Sequence, residues 1–323
     1  ADSTTCARSC ASSRREPSSS TRSGKEVRAQ APRDLATMTL FQVQPFEVND
    51  VAATAKKKFS VTLAEKADIH DLYERSVQAV DVEAEFLRDT YRALRGREAL
   101  SLREDFCGTA SLACEWVRTG PRRHAIGVDL DADTLDWGRR NRVGRLPETA
   151  RARVKLLNHD VRSVKTDKVD IVGAFNFSYF CFKTRDELRG YFARVHQALQ
   201  PDGLFFLDAF GGPDASDLTK EKTKLKGFTY VWEQAEFEPV TGRLLCHIHF
   251  KFPDGSKIKR AFTYDWRLWT LPELRELLAE AGFAKVRVYW EGDDGEGGGN
   301  GEFKEHATGV ADPAWIAYLV AEK

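Results

Sequence analysis

Carboxylates end three short apolar runs in the middle of the chain: Glu104-Asp105 after Leu102-Arg103, Asp129 after Ala125-Ile-Gly-Val128, and Asp160 just beyond Val154 to Leu157. An ionised carboxylate only accepts hydrogen bonds, so at a strand end it can take them from ribose hydroxyls or from an amino group. Leu102-Arg-Glu-Asp-Phe-Cys-Gly-Thr-Ala110 reads as a buried strand entering a helix through a tight turn, where Gly108 lets the backbone approach a ligand. Asp129 lies 21 residues beyond Gly108, the spacing at which nucleotide-binding sheets place the acid that holds a ribose. Together the acids form a nucleoside clamp. Asp129 and Asp160 also fit the plainer reading of helix N-caps, and the register between Glu104 and Asp105 stays open.

A second group of candidates lies further along. In Cys246-His-Ile-His-Phe250 an alternation of two puts His247 and His249 on one strand face and the other three on the opposite face. The pair reads as an exposed strand face or as the lining of a pocket; a metal site lacks a third ligand nearer than His159 or His306. Tyr264-Asp-Trp-Arg-Leu-Trp269 offers Tyr264, Trp266 and Arg267 as a cavity wall, with aromatic core packing as the alternative for the tryptophans. Tyr179 is counted with His247, His249, Tyr264 and Arg267 as acceptor-side candidates.

The elements that must carry these residues follow from hydrophobic period. From about 60 to 98 the pattern is helical. Strands are then expected at Ala99–Phe106, Ala125–Leu130, Val154–Leu157, Val169–Phe177 and Leu204–Phe210, with helices at Thr109–Arg118, Asp133–Val143 and Arg185–Leu199 between them. Such alternation predicts a parallel sheet covered on both faces. Between 213 and 266 the rhythm becomes antiparallel, with Asp254-Gly255 as a hairpin turn. A helix Pro272–Ala281, a strand Val286–Trp290, a Gly/acid-rich loop Gly292–Gly301 and a last strand Trp315–Val320 complete the chain. The expected divisions are a disordered leader 1–37, a helical lid 38–98, a cofactor-binding core 99–212, a β insertion 213–266 and a C-terminal completion 267–323.

Composition narrows the class. Lys plus Arg equals Asp plus Glu at 49 each, so no global basic field favours nucleic acid. Six cysteines without a CxxC pair read as reduced thiols of an intracellular, cytoplasmic protein. No apolar run is long enough for a bilayer. Residues 1–37 are Ser-rich and nearly devoid of large apolar side chains. They read either as an organelle transit segment or as a leader ahead of a start at Met38. Oligomeric state is not written in the sequence.

Glu104-Asp-Phe-Cys-Gly-Thr-Ala110 resembles the nucleotide loop of the class I S-adenosylmethionine-dependent methyltransferases, with Phe106 and Ala110 where that family usually has glycines. Ala125-Ile-Gly-Val-Asp129-Leu130, Asp160-Val161, Asp170 to Tyr179 and Leu199-Gln-Pro-Asp-Gly203 to Asp208 resemble its later motifs in order. The resemblance covers about 65–323. It implies a doubly wound, Rossmann-like α/β fold with a mostly parallel sheet, an antiparallel last strand and an antiparallel β insertion. It further implies S-adenosylmethionine as cofactor and methyl transfer by in-line displacement.

By the same resemblance, Glu104 meets the methionine amino group or the ribose, and Phe106 and Gly108 shape the loop. Asp129 takes the ribose hydroxyls, Leu130 packs on adenine, Asp160-Val161 meets its amino group, and Asn176 borders the methionine moiety. Tyr73 and Arg75 would belong to a lid over the cofactor, Arg75 facing its carboxylate. Cys107 is discounted as a nucleophile, since direct transfer needs no covalent intermediate. The insertion favours a small-molecule acceptor. A protein or RNA methyltransferase, a nucleotide-binding oxidoreductase and a catalytically silent binding module are the rival readings.

Overall fold

The computed structural model describes residues 61–293 and 299–323. The leader 1–37 and the first part of the expected lid, 38–60, lie outside them. Helices α1 (Leu63–Lys66), α2 (Ile69–Val77) and α3 (Val80–Arg95) come first. Then follow β1 (Ser101–Asp105), α4 (Ser111–Arg118), β2 (His124–Asp129), α5 (Ala132–Asn141), α6 (Glu148–Arg151) and β3 (Val154–Asn158). After β4 (Val169–Ala174), α7 (Arg185–Ala198) and β5 (Leu199–Gly211) the chain forms β6 (Lys220–Leu225), β7 (Phe228–Glu238), β8 (Arg243–Lys251) and β9 (Lys257–Arg267). It ends with α8 (Leu271–Glu280), β10 (Lys285–Asp293), β11 (Gly299–Glu305) and β12 (Trp315–Glu322).

The main sheet has the order β11-β10-β12-β5-β4-β1-β2-β3. Strands β1 to β5 run parallel, and β12 pairs antiparallel with both β5 and β10. Alternate side chains feed two apolar layers, as a sheet covered on both faces requires. Val172, Phe205 and Leu207 pack under α7 and α8, whereas Leu102, Ile171 and Phe206 pack under α3 and α4. The expected fold class is therefore the observed one.

Local chemistry sets the element ends. The helical run over 60–98 is broken at Ala67-Asp68 and Gln78-Ala79. The Asp68 carboxylate accepts from the His70 and Asp71 N–H groups at 2.9 and 3.2 Å, an N-cap that starts α2 instead of continuing the preceding turn. The strand expected to reach Phe177 stops at Ala174, since Asn176 and Phe177 both have φ of 56°. Two strands were not expected. Lys-Glu-Lys-Thr-Lys-Leu225 forms β6 without an apolar alternation, and β11 begins inside the segment expected to be loop.

The four strands β6-β7-β8-β9 form a separate antiparallel sheet. Residues directly opposite each other share a face, so Glu221, Trp232, Ile248 and Phe262 lie together. Ile248 and Trp232 belong to a cluster with Leu72 and Tyr73 of α2, which identifies this as the inner face. Lys220, Lys222 and Lys224 alternate to the outer face, a charged edge that discourages further strand pairing.

Helix α5 approaches the turn after β1 so closely that a Cβ at Gly138 would stand 2.4 Å from the Thr109 carbonyl oxygen. Glycine to alanine inside a helix ordinarily stabilises by about 1 kcal/mol. Here Gly138→Ala is expected to destabilise, by roughly 1–3 kcal/mol, through that overlap. Urea unfolding of the variant reads the sign directly, and a gain in stability would contradict the close approach.

Candidate functional site

The parallel strands end in a common edge, and the turn after β1 supplies its centre. Gly108 has φ of 51°, and a Cβ there would meet nothing nearer than 4.0 Å, so its backbone conformation selects glycine more than space does. Phe106 and Ala110, at φ of 57° and 61°, adopt the left-handed conformation without being glycines. The loop thus keeps a glycine-type path where the sequence departs from glycine, at a cost of roughly 1–2 kcal/mol for each such residue. The Phe106 ring meets Phe182 and Tyr191 at centroid distances of 6.0 and 5.7 Å, packing that offsets part of this cost.

The structure resolves the register of the two acids. Asp105 is fully buried in an ion pair with Arg103 (2.7 Å) and accepts from the Tyr191 hydroxyl at 3.0 Å. Glu104 points to the other side. One of its oxygens accepts from the Ala113 N–H in the first turn of α4 at 2.9 Å, while the other has no partner among the described residues. Burial, with Glu83, Asp129 and Asp105 nearby, holds its carboxyl well above the usual range.

Asp129 ends β2 and accepts from Gly108 N–H (2.8 Å) and Asp131 N–H (2.9 Å). Each oxygen keeps a lone pair beyond these bonds. Five expected residues, Phe106, Asp129, Leu130, Asp160 and Val161, line one cleft of about 230 Å³. Leu130 is exposed at its rim, and the Asp160 carboxylate is held by Arg162 at 2.6 Å, which keeps it below the ordinary carboxylate range.

Other expected residues are placed elsewhere. Arg75 turns from the loop, donating to the Lys226 carbonyl at 2.6 Å over the Phe228 ring. Its neighbour Glu74 reaches the loop instead, accepting from the Ser111 hydroxyl (2.7 Å), the Thr109 hydroxyl and the Arg142 guanidinium. A helix turns about 100° per residue, so adjacent side chains cannot share a target, and composition favoured the wrong member of the pair. Tyr73 lies against Phe262 and hydrogen-bonds Tyr264 on the inner face of the insertion sheet.

Tyr179 is wholly buried, its hydroxyl donating to the Asp208 carbonyl at 2.6 Å, so it is a core residue. Arg267 lies over Trp269 at 3.7 Å and binds Glu273 and the Lys183 carbonyl, joining β9 to α8. His247 and His249 occupy the outer face, opposite Thr263 and Val231. Neither is an exposed strand residue: His247 and His249 are 3% and 9% accessible and bind Thr263 (3.0 Å) and Glu233 (2.6 Å). The period was read correctly, but it cannot tell which face meets the domain. Cys107 is 2% accessible with its thiol pushed far up by burial, so it is not poised as a nucleophile.

Sequence reasoning missed the acids on the far side of the loop. Asp208 of β5 accepts from Asn176 N–H (2.8 Å) and Phe177 N–H (2.9 Å), fixing the turn after β4. Next to it, Glu83 stands on α3 three residues before Phe86, whose ring packs on Phe206 and Tyr318. Glu83 has no hydrogen-bonding or charged partner among the described residues. Beyond Phe177 opens a cavity of about 370 Å³ between the end of β5 and the inner face of the insertion sheet, with Phe210, Trp232, Gln234 and Trp315 in its walls. The Trp315 indole covers Gly211, where a Cβ would be 2.2 Å from the ring.

Burial, then the nearby charges of Asp208 and Asp81, pushes Glu83 up to about 8. A folded-state value above the unfolded 4.5 means that the folded protein holds a proton which the unfolded chain releases. Stability contributed in this way is present below the unfolded value and is lost as pH rises to about 8. Glu83→Gln is therefore expected to flatten the fall in melting temperature between about pH 5 and about pH 8.5. An unchanged pH profile in the folded variant would show that Glu83 is not enclosed.

A family model described as a methyltransferase domain matches residues 106–203. No curated protein matches the sequence. Among solved structures, an S-adenosylmethionine-dependent methyltransferase from Clostridium acetobutylicum superposes with a TM-score of 0.59 at 14% identity, covering 78% of this chain and 96% of that one. DesVI of Streptomyces venezuelae gives 0.57 at 20% identity, with 81% and 99% covered. CalS10, an amino pentose methyltransferase from Micromonospora echinaspora with S-adenosylmethionine bound, gives 0.56 at 18%, with 83% and 99% covered. At these identities the superpositions speak for the fold, and the domain match speaks for the loop and the strands that follow it. Residues 106–203 thus match a methyltransferase domain, and the chain has the fold shared by these S-adenosylmethionine-dependent methyltransferases.

Proposed function

We propose that the enzyme methylates a small-molecule acceptor held in the cavity beyond Phe177. The supporting observation is the shape and lining of that cavity. Its volume of about 370 Å³ falls in the range of small-ligand pockets, and among the described residues its lining contains no Lys, Arg or His that would mark a nucleic-acid groove. Free thiols at Cys107, Cys114, Cys181 and Cys246 support a reducing compartment, the cytoplasm. Among the described residues no helix is long and apolar enough to cross a membrane.

The residues present fit S-adenosylmethionine. In this reading the free oxygen of Glu104 takes the methionine amino group. Asp129 takes the ribose hydroxyls with its remaining lone pairs, and the cleft at Leu130 and Val161 takes adenine beside Asp160. Helices α2 and α3 form the lid, clasped to the loop through Glu74. The cofactor supplies a methyl group on a sulfonium, already a good leaving group. The protein's task is then to hold the acceptor atom in line and exclude water.

Two measurements test the assignment. S-adenosylhomocysteine at a hundredfold excess over its dissociation constant should stabilise the fold by about 2.7 kcal/mol. Two charge-assisted bonds to Asp129 are worth roughly 1.5–3 kcal/mol each, so Asp129→Ala should weaken titrated binding by about a hundredfold to about ten-thousandfold. Asp129→Asn should lose less, because its carbonyl still accepts. Unchanged affinity in an alanine variant of normal melting temperature would remove Asp129 from the ribose site.

A further inference from the structure

The cavity beyond Phe177 is unusual in its polar inventory. Asp214, Glu221 and Glu291 line it, and among the described residues no basic side chain does. None of the three is in an ion pair among the described residues. The sequence of β6 shows how this comes about. Its alternation sends Lys220, Lys222 and Lys224 outward and Glu221 inward, directly opposite Trp232. Lys220 then pairs with Glu233 on the outer face at 2.7 Å, so its ammonium is spent away from the cavity.

An independent feature lies deeper in the same wall. Gln234 is 7% accessible, and its amide nitrogen donates to the Asp214 and Asp217 carbonyls at 3.2 and 2.7 Å. Its carbonyl oxygen has no partner among the described residues. The Thr219 hydroxyl is buried and has no partner among the described residues. A buried polar atom without a partner costs about 1–3 kcal/mol, so the Thr219 hydroxyl marks a place where a ligand group completes the bonding, and the Gln234 oxygen stays open to the cavity. Carboxylates and an amide carbonyl are acceptors, and they call for a ligand rich in N–H donors. The indoles of Trp232 and Trp315 add faces that attract cations.

We propose that this cavity binds the acceptor through a protonated amine, with Glu291 and Glu221 as its charge partners and the two indoles as its walls. The inference rests on the reading of the cavity as the acceptor site and names the class of acceptor. The alkylammonium first gives its proton to the carboxylate that paired with it. The neutral nitrogen's lone pair then forms the bond to the sulfonium methyl carbon, and the carbon–sulfur bond breaks with its electron pair on sulfur. The products are S-adenosylhomocysteine and a methylated ammonium, and the carboxyl proton passes to solvent.

The test uses cyclohexylamine with its neutral and anionic counterparts, cyclohexanol and cyclohexanecarboxylate. Each is titrated into the full chain saturated with S-adenosylhomocysteine, and methylated product is sought by mass spectrometry with S-adenosylmethionine. The amine is expected to bind about tenfold or more tightly than either counterpart. Glu291→Gln and Glu221→Gln should remove most of that preference and leave cyclohexanol and S-adenosylhomocysteine binding unchanged. Glu221 is exposed and unpaired, so its variant should fold normally even if Glu291→Gln does not. Absence of amine binding, equal binding of the alcohol or carboxylate, or an undiminished preference in both folded variants overturns the amine assignment while the methyltransferase reading stands. Failure of S-adenosylhomocysteine itself to bind overturns both.

Discussion

The active edge depends on one buried carboxylate. Asp208 spends both oxygens on the N–H groups of Asn176 and Phe177, two consecutive residues in the left-handed conformation. Without those bonds the turn would leave two donors unsatisfied next to the core, and the backbone strain would have no compensation. With them, Phe177 is directed onto Phe210 at 4.7 Å and stands between the end of the parallel sheet and the insertion. Burial drives Asp208 up to about 7, so the bond network that aims the turn is kept at an energetic cost.

A division of labour between the two sheets follows from this placement. The parallel sheet supplies a fixed row of strand-end acids, because strands buried on both faces are mostly apolar and carry most of their polar side chains near their tips. The antiparallel sheet supplies aromatic and acidic side chains on one face and lysines on the other. Alternation does this without long-range folding constraints, since each strand sorts its own residues.

The legible parts of the sequence were those set by local period or fixed spacing. Gly108 and Asp129 could be paired by their separation, and the N–H of one does bond to the carboxylate of the other. The parallel core could be read from apolar runs separated by helical ones. Less legible were contacts decided by rotation or by pairing across long separations. Glu74 reaches the loop and Arg75 does not, a difference of one residue on a helix. Glu291 and Trp315 share a cavity wall only because β10 and β12 pair antiparallel. Strand β6 was hidden because its inward positions hold Glu221, which faces a cavity instead of a core, and the exposed Thr223.

Helix α2 has ties in several directions at once. Glu74 binds Thr109, Ser111 and Arg142 around the cofactor loop, Tyr73 binds Tyr264, and Arg75 binds the carbonyl of Lys226. Displacing the helix breaks links to the nucleotide side and to the insertion sheet together. The cleft at the strand ends and the cavity beyond Phe177 are therefore tied to one helix. If the cleft and the cavity hold donor and acceptor as proposed, spent donor and finished product would leave in the same opening event, and its frequency would set an upper limit on turnover however fast the transfer step becomes.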